Sequence, residues 1–203
     1  MYQNTSLAYI CKGDDTMNNL DCRTQAYLEE YYCILKQMME KMTSVQLTCS
    51  VSYNFIVQMI PHHRAAILMS CNVLKYTKNS ALQEIAFTII REQTKSIENM
   101  KNILACCQKQ INTEKCLCQY QSQIDAIMRV MFSKMSEACV TNNIDENFIR
   151  EMIPHHEGAI AMANTTLQYD ICPELRPILK AIVTSQTRGV HELQRVLQTL
   201  QCQ

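Results

Sequence analysis

The sequence predicts an all-α protein, because turn-forming residues are scarce and apolar residues recur at helical spacing. Among its 203 residues the chain has only 3 Gly and 4 Pro, too few for the many tight turns of a β-sheet protein. Its hydrophobic fraction of 47% is sufficient for a buried core. The three-and-four spacing that is typical of one helix face connects Leu28, Tyr31, Leu35, Met38 and Met42.

The second half of the chain repeats the first at an offset of 93 residues. Residues 53–104 align with residues 146–197 without a gap, and the run MIPHH at 59–63 recurs unchanged at 152–156. Such self-similarity is the sequence signature of a duplicated structural unit. The sequence therefore predicts two tandem repeats.

Each repeat is expected to contain three helices. The first repeat places them at about 22–43, 53–76 and 80–110, and the second at about 118–138, 146–169 and 173–201. Asp145 stands directly before the second helix of the second repeat and is the expected N-cap there. The chain then divides into an N-terminal arm, a first helical repeat and a second helical repeat, the repeats packed as one bundle, at residues 1–21, 22–111 and 112–203.

Histidine and methionine share one face of the second helix in each repeat. The first set, which spans about 120° of the helix surface at 100° per residue, consists of Met59, His62, His63 and Met69. The second set repeats this face with Met152, His155, His156 and Met162. Imidazole binds several transition metals, and thioether favours Cu(I) and related soft ions. The pattern therefore predicts two sites for a soft metal ion, with copper as the expected ion.

Carboxylates do not follow the repeat, which argues against a di-iron centre. Glu151 aligns with Gln58, and Glu157 aligns with Arg64. A di-iron site in a helical bundle needs paired glutamates, so methionine in this pattern favours a softer ion.

Three residues of the third helices are weaker candidates. If the third helix returns antiparallel to the second, Gln93 lies level with His63, and Gln186 repeats it in the second half. Met100 reaches the level of Met59. We expect both glutamines to support a histidine rather than to bind the ion. In the alternative interpretation, His63 and Gln93 form a buried polar pair that fixes helix register without any metal.

The motif F-x3-M-I-P-H-H-x2-A-I-x-M occurs at residues 55–69 and 148–162, and it resembles the signature of a ferritin-like family, domain of unknown function number 305. The resemblance implies a ferritin-like helical bundle with two tandem copies of the motif. For some family members it also implies copper or silver binding and metal resistance. The acidic residue of the family's third helix is Ser96 here and Gly189 in the second copy, where Leu193 replaces its methionine. These departures predict that the two sites bind unequally.

Composition excludes several classes of partner. The chain has 19 basic and 19 acidic residues and a net charge of zero, without a basic tract, so nucleic acid is not an expected partner. No apolar run reaches the roughly 18 residues of a membrane span. The N-terminus lacks the pattern of a signal peptide, so the cytoplasm is the default location, with export or the cell surface as the alternative if a leader has been removed. A homo-oligomer is compatible with the sequence.

The 12 cysteines do not follow the repeat. Cys106-Cys107 and Cys116-x-Cys118 flank the junction between the repeats. A disulfide is expected there in an oxidising environment, and a thiolate metal site in a reducing one. The fifth histidine, His191, has no counterpart in the first repeat and is expected to be exposed.

The sequence contains no nucleophile–base pair or paired acids that would indicate an enzyme. We therefore expect a protein that binds a Cu(I)- or Ag(I)-type ion through its methionine and histidine sites, for sequestration or transfer. The alternative is a disulfide-stabilised structural or interaction bundle, such as a spore or envelope component, that holds no metal.

Overall fold

The structure is a computed structural model that describes residues 19–202 and contains six α-helices joined by short loops. The helices are α1 (Cys22–Thr43), α2 (Val51–Leu74), α3 (Ser80–Cys107), α4 (Glu114–Ser136), α5 (Ile144–Thr166) and α6 (Leu175–Gln201). This part of the chain has no β-strand, which confirms the all-α prediction. Residues 1–18 of the expected N-terminal arm lie outside the described residues.

Polar N-cap residues determine where five of the helices begin. Each accepts a hydrogen bond from a backbone N–H of the first turn, as is typical of short oxygen-bearing side chains; they are Asp21, Ser50, Asn79, Thr113 and Asn143. The expectation that Asp145 caps α5 is wrong. Asn143 accepts from the N–H groups of Asp145 and Glu146, so Asp145 lies inside the first turn. Asn143, two residues upstream, offers the same kind of side-chain oxygen, and this oxygen accepts from the free N–H groups of the first turn.

The loop before the second helix of each half is held by one asparagine. The Asn54 side chain accepts from the Thr48 N–H at 2.8 Å and donates to the Thr48 carbonyl at 3.1 Å. Asn147 makes the same two bonds to Thr141, at 2.9 and 2.7 Å. These equivalent pairs of hydrogen bonds fix where α2 and α5 begin relative to the core. They therefore also fix the position of the histidines further along both helices.

The second and third helices form the centre of the molecule. Within each half the helices pack in chain order, α1 on α2 and α2 on α3, then α4 on α5 and α5 on α6. Between the halves, α2 packs on α5 and α3 packs on α6. Aliphatic, aromatic and methionine side chains fill the space between them. Each described helix is too short or too polar to cross a lipid bilayer.

Two buried tyrosines of α1 reach into the second half. The Tyr31 hydroxyl donates to the carbonyl of Met135 at 2.9 Å, one of the last carbonyls of α4, which lack partners inside the helix. The Tyr27 hydroxyl donates to the carboxyl group of Glu151 on α5. Because both bonds are buried, they tie the outer helix of one half to the other half.

Tyr31→Phe is expected to lower the free energy of unfolding by about 1–2 kcal/mol, because the buried carbonyl of Met135 loses its donor. Tyr32→Phe is the matched control, since the Tyr32 hydroxyl has no hydrogen-bond partner within residues 19–202. Urea denaturation of both variants measures the difference. Equal stability of the two variants would contradict a contribution of the Tyr31 bond.

Candidate metal centre

The two motif helices cross where His62 of α2 meets His155 of α5. The centroids of these two rings lie 3.7 Å apart, with an angle of 32° between the ring planes. Both side chains are fully buried, and α2 and α5 run without interruption through Pro61 and Pro154. The equivalent histidines of the two halves are therefore in direct contact.

Each of these two histidines is hydrogen-bonded to the backbone of the other. His62 Nε2 lies 3.2 Å from the carbonyl oxygen of His155, and His155 Nε2 lies 3.2 Å from the carbonyl oxygen of His62. A carbonyl oxygen only accepts, so both Nε2 atoms carry the proton. The lone pair of each neutral ring is then on Nδ1, which is the atom free to bind a metal ion.

His63 and His156 extend this pair to a cluster of four rings, which is called the histidine row below. Each lies 5.9 Å, between ring centroids, from the preceding histidine of its own helix. His63 Nε2 is 3.0 Å from the Ser96 hydroxyl on α3, whereas Gly189 stands at the position equivalent to Ser96. The alternative interpretation pairs His63 with Gln93, but in the structure the Nε2 partner is Ser96, one turn further along α3.

The Nδ1 atoms of the whole row are buried and have no hydrogen-bond partner within the described residues; they belong to His62, His63, His155 and His156. An unpartnered buried acceptor costs about 1–3 kcal/mol. The two glutamine oxygens of Gln93 and Gln186 are buried and unpartnered as well. The centre of the bundle thus holds several buried nitrogen and oxygen atoms without a hydrogen-bond partner among the described residues.

Burial keeps these histidines neutral. Desolvation lowers the pKa of His62 and His155 well below 6.5, and the neighbouring imidazoles lower it further. Desolvation also lowers the pKa of His63 to about 3 and that of His156 to about 4. Neutral imidazole is the form that binds metals, and the four histidines are in this form at neutral pH.

The methionines of the two motifs are buried on the same helices. Met59, Met69, Met152 and Met162 have exposed fractions of 0 or 1%. Met100, the weaker candidate on α3, is equally buried, and the fifth histidine, His191, is exposed as expected. The ligand role of these thioethers stays a prediction.

A pocket between α3 and α6 leads from the surface to His63. It has a volume of about 300 Å³ and is lined by His63, Gln93 and Gln186 among others. Gln93 thus lies level with His63, as the antiparallel return predicts, and the glutamine of the second half faces the same pocket. The exposed side chains of Lys95 and Asn99 form its rim.

A family profile described as a domain of unknown function, DUF305, matches residues 52–197. The protein CopM in an Ag-bound form obtained by soaking is 27% identical, with a TM-score of 0.55, and the match covers 76% of this chain and 98% of that one. CopM in its Cu(II)-bound form is 27% identical with a TM-score of 0.56, covering 77% and 99%.

A DUF305 fragment from Deinococcus radiodurans has the same fold at 20% identity, with a TM-score of 0.53 and coverage of 73% and 96%. No curated protein matches the chain. The helical bundle is therefore shared with solved structures over most of this chain and nearly all of theirs.

The metal-free protein is expected to be most stable near pH 6.5. The stability that goes with neutral buried histidines is fully present above their unfolded pKa of 6.5. It is lost as the pH falls towards and through their lowered folded pKa values. Glu151 acts in the opposite sense, because burial raises its pKa from 4.5 to about 8. Its contribution is present below pH 4.5 and is lost as the pH rises through 8. Each group changes the unfolding free energy by about 1.4 kcal/mol per pH unit within its window, so four histidines outweigh one glutamate below pH 6.5.

Urea denaturation with a chelator at about pH 5, 6.5 and 8 measures this profile. Glu151→Gln removes the decline above pH 6.5 and keeps the decline below it; glutamine is the residue at the equivalent position, Gln58. His191→Gln, which changes an exposed histidine, leaves the profile as it is. A stability that increases from pH 6.5 to pH 5 would show that the four imidazoles are not held neutral.

Proposed function

We propose that this chain, which belongs to the DUF305 family, binds Cu(I) or Ag(I) and holds the ion for sequestration or transfer. The first ligand set would be Met59, His62, His63 and Met69, and the second Met152, His155, His156 and Met162. In this proposal the chain carries two tandem copies of the family's histidine–methionine motif. The ion is held rather than used in turnover.

The four unpartnered Nδ1 atoms carry this proposal. A histidine that serves packing alone uses both ring nitrogens in hydrogen bonds or exposes one to water. Here the Nε2 atoms of His62, His63 and His155 have partners, whereas none of the four Nδ1 atoms has one within the described residues. A bound cation gives these buried nitrogens a partner and removes the cost of leaving them unpartnered.

The charge and softness of the surroundings favour a monovalent soft ion. The candidate ligands are neutral, and burial raises the pKa of Glu151, the one buried carboxyl group within residues 19–202, to about 8, so it is protonated at neutral pH. A divalent ion buried among neutral ligands lacks compensating charge. Thioether sulfur binds Cu(I) and similar ions in preference to hard cations. The solved structures of CopM in Ag-bound and Cu(II)-bound forms support silver or copper as the element, whereas the monovalent state is argued from the neutral ligands alone.

We propose that Gln93 and Gln186 orient the row from the outside and that Met100 is an additional thioether of the first set. Both glutamines line the pocket that reaches His63. This pocket is the route by which an ion would enter. Groups that orient a metal-binding imidazole typically change metal affinity by about 10- to 100-fold when removed.

Silver titration of the metal-free protein tests the ligand sets. The exposed thiols are first alkylated so that they do not compete, and the histidines are labelled with 15N. Ag(I) is expected to shift the Nδ1 resonances of the four buried histidines and to leave those of His191 unchanged. If the buried resonances do not move, the alternative of a structural bundle without metal is favoured.

The thioethers are tested by a change that keeps side-chain volume. Met59→Leu combined with Met69→Leu is expected to weaken Ag(I) binding at least about tenfold, equivalent to about 1.4 kcal/mol, with little loss of stability. Met38→Leu with Met42→Leu is the matched control, since both methionines are buried on α1 outside the motif. Equal affinities of the two double variants would remove the thioethers from the site.

The inequality of the two halves is tested at Ser96 and Gly189. Ser96→Ala removes the hydroxyl that bonds His63 and is expected to weaken the first site about tenfold. Gly189→Ala acts differently, because a Cβ there would lie 2.8 Å from His156 Cδ2 and 3.0 Å from its Nε2. The ring must move, so the 15N signals of His156 shift before any metal is added. Ag(I) titration of both variants, monitored through the histidine 15N resonances, distinguishes the two effects. Identical changes at the sites of both halves would contradict the prediction that the two sites bind unequally.

A further inference from the structure

A second group of potential metal ligands lies at the end of the bundle where α3 stops and α6 begins. The Sγ atoms of Cys106 and Cys172 and a carboxylate oxygen of Glu174 all lie within 4.8 Å of one another. Cys106 is in the last turn of α3, Cys172 is in the loop after α5, and Glu174 directly precedes α6. Two segments distant in sequence, the end of α3 and the loop between α5 and α6, thus bring two thiols and a carboxylate together.

We propose that Cys106, Cys172 and Glu174 form a binding site for Zn²⁺ that is separate from the histidine row. Both thiols lose their protons to solvent as the ion binds, and no electron is transferred. Three protein ligands leave the fourth tetrahedral position to water.

The buried side of this group is held in place by the backbone. The Cys172 N–H donates to the Ser52 hydroxyl at 2.9 Å, and the Ser50 hydroxyl donates to the Cys107 carbonyl at 2.7 Å. Both serines belong to the start of α2, so one turn of helix anchors the two cysteine-bearing segments. The Cys172 thiol donates to Glu174 Oε2 at 2.8 Å, so this sulfur and this carboxylate oxygen are already adjacent.

The other side is open to solvent. Cys106 and Glu174 are exposed, whereas Cys172 is buried. An ion can therefore reach the group without opening the core, and a water ligand has room. Tetrahedral ligands at about 2.0–2.3 Å from zinc lie about 3.3–3.8 Å apart, a spacing within the reach of these side chains.

The mixture of sulfur and oxygen favours zinc over the ions proposed for the histidine row. Cu(I) prefers soft ligands alone, whereas Zn²⁺ accepts both thiolate and carboxylate. Two thiolates and one carboxylate also supply the negative charge that a divalent ion needs and that the neutral histidine row lacks.

The equivalent place in the other half offers a natural comparison. At the offset of 93 residues, Thr199 corresponds to Cys106, Asn79 to Cys172 and Ala81 to Glu174. Ala81 and Thr199 line one groove between α3 and α6, so the same juxtaposition exists there without metal ligands. The cysteine group is therefore particular to one end of the molecule.

Cobalt titration of the reduced, metal-free full chain tests the site, because thiolate-bound Co²⁺ has a charge-transfer absorption that histidine and methionine ligands do not produce. We expect one equivalent to give this band and Zn²⁺ to displace it. Cys106→Ser, at an exposed position that leaves folding intact, should remove the band, and Glu174→Gln should weaken Co²⁺ binding at least tenfold.

Two controls make the outcome specific. The double variant Cys116→Ser with Cys118→Ser, which changes the other cysteine pair near the junction, should keep the band at full intensity. Retention of the band in Cys106→Ser, or its loss in the control, would overturn the assignment. So would peptide mapping that finds Cys172 in a disulfide in protein isolated without reductant.

Discussion

The stacked contact between His62 and His155 is the constraint on which the rest of the structure depends. Each ring donates to a backbone carbonyl of the opposite helix at 3.2 Å, and the rings lie 3.7 Å apart. This arrangement fixes both the crossing point of α2 and α5 and their register, since a shift of either helix breaks both hydrogen bonds. It also orients the two Nδ1 atoms away from the bonded edges. The fold and the candidate site therefore share one set of contacts.

Much of the fold could be predicted from one sequence, because helical periodicity and the 93-residue repeat are patterns of the sequence itself. The spacing predicts six helices and the burial of the motif face, and short polar side chains indicate their starts to within a few residues. The crossing of α2 with α5 could not be predicted, because periodicity tells which face of a helix is buried and not which helix covers it. The ligand sets were accordingly expected one in each half, whereas the structure places His62 against His155. Counting residues placed Gln93 level with His63 but could not tell that Ser96, one turn away, reaches the ring.

The same burial that makes the row a candidate metal centre makes it unfavourable without a ligand. Four imidazoles are desolvated, and their Nδ1 atoms are left without partners, while aliphatic residues at those positions would pack without that cost. A ligand that binds only the folded chain recovers the cost and adds its own binding free energy to stability. In the proposed function, folding and metal binding would be coupled through these same four side chains.

Differences between the halves lie around the MIPHH run and not within it. The MIPHH run is identical in both halves, but its surroundings differ at Glu151 against Gln58 and at Gly189 against Ser96. Neighbouring groups set the orientation and basicity of a metal-binding imidazole, so identical ligands in unlike surroundings need not bind alike. Because His62 and His155 are in contact, an ion held by one set also lies close to the other, and two cations at such a separation repel. For the proposed function, this geometry implies successive rather than equivalent occupation of the two ligand sets, beginning at His63, which lines the pocket between α3 and α6.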